Sequence, residues 1–394
     1  MPDGGEGLLE AAEIEERRAE FESRFGEGTA ADLYFAPGRV NLMGDHTDYN
    51  GGLVLPLAIA EGTYVLIRPR DVPPSRLYSA TTGEAAEFDP MGIDRRGDWA
   101  DYVRGVFFIL SLTRGEPPPC DAMFFSNLPL GAGLSSSASL EIAAALAASS
   151  LGLQLPPEEA AQAAWRAENE FVGMNCGVMD QYAVALSREG HLILLDCRTL
   201  AYDFVPFDLP GTSLLIGHTG TGRSLVDSQY NQRRRECEEA LGLMAARLGP
   251  RDDLSAFTME EFQVVRDTLP EVSRMRAEHV LRENARVREA AASLQAGDPE
   301  RLGRLMNESH ASLRDLYGVS SPELDSLQEI SLAQPGVWGC RMTGAGFGGC
   351  VIALARDESL PAYLAGVPGL YREASGREPF FISARPCAGA RRLA

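Results

Sequence analysis

Apolar positions near the start recur at helical spacing: Leu8, Ile14, Phe21 and Phe25 form a loose stripe that predicts a helix over residues 8–25, ended by Gly26. From Leu33 the period shortens. Residues 33–44 and 51–70 read as strands joined through Asn50-Gly51, a dipeptide that favours a tight turn. Residues 98–112 predict a helix that brings Trp99 and Tyr102 toward one face, and residues 122–129 a short strand. This strand leads into LPLGAGLSSSASLE, residues 128–141, a glycine pair followed by three serines and an apolar helix. Pro156, Pro157, Glu158 and Glu159 suit the first turn of the next helix, which carries Trp165 and Glu168 and ends near Gly173. Residues 191–200 are strand-like. Residues 213–222 resemble the first strand of a second unit, which divides the chain into residues 1–208 and 209–394. Long helical patterns follow at 227–248, 275–296 and 300–317, with Arg233 to Arg235 as a solvated helix face. Residues 340–356 place a glycine loop between two strands.

Composition narrows the chemistry. The 394 residues carry a formal net charge of -20, which argues against nucleic acid or an anionic membrane as partner. The sequence contains no lysine, and its 36 basic residues are all arginine. A Walker A loop and a Schiff-base mechanism both need lysine, so both are excluded. Seven scattered cysteines without a CxxC pair suggest reduced thiols, and five dispersed histidines argue against structural zinc. The acidic N-terminus lacks the features of a secretory signal, and the apolar run at 140–155 is too short to span a bilayer. The expectation is a cytoplasmic protein with no obligate protein partner.

Four stretches carry candidate chemistry. In residues 128–141, Gly131 and Gly133 free the backbone to turn N–H groups toward an anion, and the serines supply hydroxyls at a helix start. An ordinary helix capped by serine has the same pattern. Asp45, His46, Thr47, Asp48 and Tyr49 form a polar cluster that reads most simply as a solvated hairpin tip and makes a poor complete metal-ligand set. Asp180 stands among Val178, Met179, Tyr182 and Val184, as a functional acid or as a helix cap. Gly344, Gly346 and Gly349 satisfy G-x-G-x-x-G, yet a strand follows where a dinucleotide site needs a helix. That loop suggests close backbone approach instead.

Together PGRVNLMGDHTDYNGG (37–52), LPLGAGLSSSASLE, NCGVMDQ (175–181) and RMTGAGFGGC (341–350) resemble the motifs of the galactokinases, within the GHMP kinase superfamily. The likeness continues through WADYVRGV, LLDCRTL, HVLRENAR and ESHASLRD. The resemblance implies an α+β fold of two domains, with the active site in the inter-domain cleft and a left-handed βαβ crossover in the first. It implies transfer of the γ-phosphoryl group of ATP to the 1-hydroxyl of α-D-galactose, in galactose metabolism. By resemblance, Asp180 is the candidate base, and Arg39 orients it and contacts the phosphoryl group. Mg²⁺ falls to Ser137 and Glu168. The triphosphate falls to the backbone of Gly131, Ala132, Gly133, Leu134, Ser135, Ser136 and Ser137. Trp99 becomes a wall of the adenine pocket, although an aromatic at that spacing also suits a core. Sugar contacts fall to Asp45, His46, Asp48, Gly177, Asp180 and Tyr230.

Two positions depart from the family pattern. Asp45 stands where glutamate is usual, and Ala345 where glycine is usual. The shorter side chain withdraws the carboxylate by about 1.5 Å, which predicts a weakened or water-bridged contact at the 6-hydroxyl and tolerance of substituents at C6. Rivals are a kinase for N-acetylgalactosamine or a C6-modified galactose, and a non-catalytic galactose sensor. The fungal sensors lack the Ser-Ala pair present here as Ser137-Ala138.

Overall fold

The computed structural model describes residues 8–129, 131–221 and 226–394; Leu130 and Gly222, each inside a stretch read above, lie outside the described residues. Helix α1 (Ala11–Phe25) ends where expected, with Gly26 N–H donating to Glu22 O at 2.9 Å. Its Phe21 is buried with Leu33, Phe35, Tyr64 and Leu66 on one face of the first sheet.

Strands β1 (Asp32–Asn41), β2 (Leu53–Val54) and β3 (Pro56–Pro69) follow. β1 and β3 pair antiparallel with Asn41 opposite Pro56, so they are joined by a long loop and not by a tight Asn-Gly hairpin. Thr47 folds that loop inward: its hydroxyl reaches Gly44 O and Leu53 O, both at 2.7 Å. The solvated-tip reading of 45–49 is therefore corrected, because Asp45 is 1% and His46 4% exposed. Turn residues gave no warning, since burial here is imposed by the chain's distant second half.

β4 (Ser75–Ser79), β5 (Glu84–Phe88) and β6 (Cys120–Ser126) complete the order β1-β3-β6-β4-β5. β4 and β6 run parallel, joined through β5 and helix α2 (Asp101–Arg114). On this sheet lie α3 (Ser136–Ala147), α4 (Pro157–Arg166) and α5 (Met179–Leu186). Alanines 143, 144, 145 and 147 of α3 are at most 1% exposed, and their small side chains let the helix approach the sheet closely. α4 runs on through a π turn at Ala167–Val172 and stops at Gly173. β7 (His191–Asp196) and β8 (Tyr202–Pro206) extend β2 into a small sheet.

The second half begins with β9 (Thr212–His218), followed by α6 (Val226–Leu248), α7 (Met259–Val265), α8 (Glu271–Gln295) and α9 (Pro299–Ser312). Next come α10 (Pro322–Leu332), β10 (Val337–Thr343), β11 (Cys350–Arg356), α11 (Leu360–Ser375) and β12 (Phe380–Ala384). The sheet order is β10-β11-β9-β12, all antiparallel. Arg233 departs from the solvated-face expectation: α6 packs on α8, and the Arg233 side chain, 14% exposed, donates to Gly318 O at 2.8 Å.

One apolar cluster joins the halves, with Val40, Leu42 and Leu57 against Leu214, Ile216 and Ile352. The end of the chain also crosses back. β13 (Arg391–Arg392) pairs with β1, and Cys387 N–H donates to Ala58 O at 3.1 Å, so this tail lies against the first half although sequence order groups it with the second. Among the described residues no helix is long and apolar enough to cross a membrane.

Candidate active site

The glycine-serine loop leaves β6 and enters α3 through Gly131 (φ 72), Gly133 (φ 81) and Ser135 (φ 60). A left-handed serine is uncommon and marks a constrained site. Three loop carbonyls are taken by protein donors: Ala132 O by the Cys350 thiol at 3.1 Å, Gly133 O by Arg39 Nη1 at 2.8 Å, and Leu134 O by Arg39 N at 3.2 Å. In a planar trans peptide the N–H opposes the C=O, so the N–H groups of Gly133, Leu134 and Ser135 point away from these anchors. The helix dipole of α3 adds positive potential at the same end. The expected serine cap is not formed. Ser135 occupies the cap position without capping, and its hydroxyl donates instead to Asp180 Oδ2.

Arg39 lies on β1 beside a register shift between Pro37 and Arg39. Its Nε donates to Asp180 Oδ1 at 2.7 Å and its Nη2 to Asp180 Oδ2 at 2.6 Å, the two-point geometry that fixes a carboxylate's orientation. Asp180 stands in the first turn of α5 but caps nothing, because its oxygens are committed to Arg39 and Ser135. The arginine side chain is 7% exposed and the aspartate 28%, so the acid keeps an open face.

That face looks into a cavity of about 260 Å³ between the halves. Arg39, Asp180, Asp45, His46, Asp48 and Tyr230 line it. Gly177, Ser137 and Glu168 line it as well, so predicted sugar, catalytic and metal residues share one space. Residues 131–136 stand behind Ser137 in the adjoining loop and are not part of its wall. Trp99 is not in the wall either: it packs edge-on against Phe124 at 6.0 Å, while Tyr102 faces the cavity.

Charge is distributed unevenly around this space. Burial, and then the charge of Asp180, pushes the Asp48 carboxyl up to about 7. A Cβ at Gly177 would lie 1.9 Å from Asp48 Oδ2, so glycine alone fits beside that acid. His46 Nε2 lies 3.1 Å from Ala345 O and Nδ1 2.9 Å from Tyr49 OH. The carbonyl can only accept, so Nε2 carries the proton and Nδ1 accepts from the tyrosine. Burial keeps that imidazole neutral, with its pKa lowered to about 3. Asp45 is held by Arg341 Nη2 at 2.5 Å, Gly344 N at 3.1 Å and Asn41 Nδ2 at 3.3 Å.

Glu168 is raised by burial and by Asp180, against hydrogen bonds from Cys176, Ser137 and Gln181 that favour its charge. The Gln181 amide bridges Glu168 at 2.6 Å and the wholly buried Glu141 at 3.2 Å. The sequence did not single out Gln181, Glu141 or Arg341. A polar residue bracketed by apolar ones was the available signal, and it does not distinguish a buried partner from a surface one.

Comparison with known proteins agrees with the geometry. A galactokinase galactose-binding signature matches residues 19–69, and the GHMP kinase N-terminal and C-terminal domains match 101–188 and 290–364. The galactokinase of Fusobacterium nucleatum is 39% identical over 94% of this chain and 97% of its own length. That of Bacillus subtilis is 39% identical over 96% and 99%. The crystal structure of Lactococcus lactis galactokinase complexed with galactose superimposes with a TM-score of 0.93 at 37% identity, covering 96% of this chain and all of that one. Methanococcus jannaschii mevalonate kinase, 18% identical with a TM-score of 0.63 over 93% of this chain and 100% of its own, shares the fold. With shared motifs, shared fold and this identity over nearly its full length, the chain belongs to the galactokinase family.

Proposed function

We propose that the protein transfers the γ-phosphoryl group of ATP to the anomeric 1-hydroxyl of α-D-galactose, giving galactose 1-phosphate. The observation that carries this reading is the placement of Asp180, clasped by Arg39, bonded to a serine of the glycine loop, and open to a cavity of sugar size. In this reading Asp180 accepts the proton of the attacking hydroxyl through Oδ1, which keeps a lone pair beyond the one used by Arg39, while Oδ2 is taken by Arg39 and Ser135. Arg39 fixes the carboxylate and presents positive charge where the phosphoryl group passes.

The outward N–H groups of Gly133, Leu134 and Ser135 suit the phosphates, within a loop of residues 131–137 assigned to the triphosphate, with Trp99 assigned to the adenine end. Asp45, His46, Asp48, Gly177 and Tyr230 are assigned to the sugar. A buried acceptor left unpaired by the wrong epimer is costly, which is the basis of selectivity. Asp45 already meets three protein donors, which supports a loosened contact at C6. Comparable efficiency with 6-deoxygalactose and galactose is expected; strong discrimination lost only in Asp45→Ala would reject it.

Ser137 and Glu168 fit Mg²⁺: one hydroxyl and one carboxylate on the same cavity wall form an oxygen pair that leaves other positions to water and phosphate. When bound, the ion would neutralise charge on the phosphates. Turnover of galactose with labelled ATP, and identification of the product as the 1-phosphate, tests the proposal. No turnover of galactose with brisk turnover of another hexose would refute it.

A further inference from the structure

Arg341 and Arg104 are the largest of the fully buried side chains, yet the reaction described above makes no use of Arg341. It projects from β10, in the chain's second half, into the loop that follows β1. Its Nη1 donates to Asn41 O at 3.2 Å and Leu42 O at 2.8 Å, and its Nη2 to Asp45 Oδ2 at 2.5 Å. Three residues on, Gly344 N–H donates to the other Asp45 oxygen at 3.1 Å. One limb of the second half therefore grips both oxygens of a carboxylate that belongs to the first.

Everything around this grip is buried and nearly balanced in charge. Glu283 Oε1 lies 3.9 Å from Arg341 Nη2, receives Gly44 N–H at 3.1 Å, and shares its carboxylate with Arg286 at 2.7 Å through Oε2. Asp45, Glu283, Arg286 and Arg341 are all at most 8% exposed. A buried charge without its partner is strongly destabilising, so these residues hold one arrangement or none. Asp45 is followed by His46, whose Nε2 donates to Ala345 O, and then by Asp48, which faces the cavity. The position of those two side chains depends on where Asp45 is held.

We infer that Arg341 is a positioning residue for the sugar-binding loop: its guanidinium holds Asp45, and through Asp45 the segment bearing His46 and Asp48, against the glycine loop of the second half. The inference rests on the proposed sugar site. It differs from a direct contact, because Arg341 does not line the cavity and Asp45 stands between them. It also differs from general stabilisation, because the contact that reaches the residues beyond Leu42 runs through Asp45, while the contacts to Asn41 O and Leu42 O hold only the start of the loop.

The test is a two-residue cycle in the full chain, read as KM and kcat for galactose at saturating ATP, with thermal midpoints recorded alongside. Arg341→Met should raise KM about tenfold or more with kcat within about threefold, since an uncompensated Asp45 shifts the loop. In an Asp45→Asn background, where no charge is left unpaired, the same substitution should change KM by less than about threefold. KM for 6-deoxygalactose should rise by the same factor as for galactose, because the whole loop moves. An equal KM change in both backgrounds, or a lowered midpoint with unchanged KM, overturns the inference. Should Arg341→Met alone fail to fold, Arg341→Lys carries the same cycle, read as galactose affinity by calorimetry, and unchanged affinity overturns it. Wild-type enzyme that neither binds nor turns over galactose would instead refute the proposed function.

Discussion

Two arginine–aspartate pairs stand at the cavity and are built differently. Arg39 and Asp180 both come from the first half, meet at two points, and leave the acid 28% exposed. Arg341 and Asp45 come from opposite halves, make one direct contact, and are sealed to 0% and 2% side-chain exposure. An acid that exchanges a proton with substrate must be reachable, whereas an acid that anchors a loop must not exchange with water. Asp48, without an arginine hydrogen-bonded to it among the described residues, is pushed up to about 7 by burial and then by Asp180, and burial raises Asp45 as well, against the opposing pull of Arg341. Under the proposed function, turnover falls to the first pair and sugar affinity to the second.

The largest effect should follow from breaking the first pair. Asp180→Asn keeps the shape but removes the proton acceptor, and kcat should fall by about 10²–10⁴-fold with ATP affinity little changed. Near-normal kcat in rapid-mix and steady-state assays would reject the role. Gly177→Ala tests the space between the pairs: the added methyl must displace Asp48, and galactose KM should rise by about tenfold, a cost of ~1.4 kcal/mol. An unchanged KM would show that Asp48 does not contact the sugar.

The pH profile gives a graded version of the same test. In the proposed sugar contact Asp48 is the stronger acceptor when ionised, and its folded pKa is raised, so galactose kcat/KM should rise with pH up to about 7 and level off above. The loss should flatten at low pH to the level of the protonated acid, which still accepts a weaker hydrogen bond. Asp48→Asn should remove this limb while lowering the plateau. The smallest effect is expected for Ser135→Ala, about three- to tenfold in kcat, because Arg39 still holds Asp180 at two points.

Much of this site was readable from the chain alone. Arg39 and Asp180 are 141 residues apart and meet in a salt bridge, and Ser137 and Glu168 meet on the same wall. Local patterns singled out only the glycine-serine loop and Asp180, each with an ordinary helix cap as the alternative; Arg39, Ser137 and Glu168 were placed by the resemblance to the galactokinase motifs. What escaped depends on distant packing. Asp45 to Thr47 have the composition of a surface turn, and only the arrival of β10 and α8 buries them. Arg341 has no periodic signature, since one arginine at the end of an apolar run reads equally well as exposed. The Ser135 cap failed for a related reason: the residue stands at φ 60, outside the extended backbone a capping residue needs, and its hydroxyl is turned to donate to Asp180 from α5. The long helices and the first strands followed hydrophobic spacing, whereas β4, β5, α10, α11 and β12 were not singled out, and the tail's return to β1 is a topological fact that no local pattern encodes.

The separation of roles is tested most directly by measuring kcat and galactose KM for Asp180→Asn and Arg341→Met side by side at saturating ATP. The expected result is a crossed pattern, with kcat lowered at least about a hundredfold and KM within threefold in the first, and KM raised about tenfold with kcat within threefold in the second. Loss of the same parameter in both variants would contradict the division of labour between the two pairs.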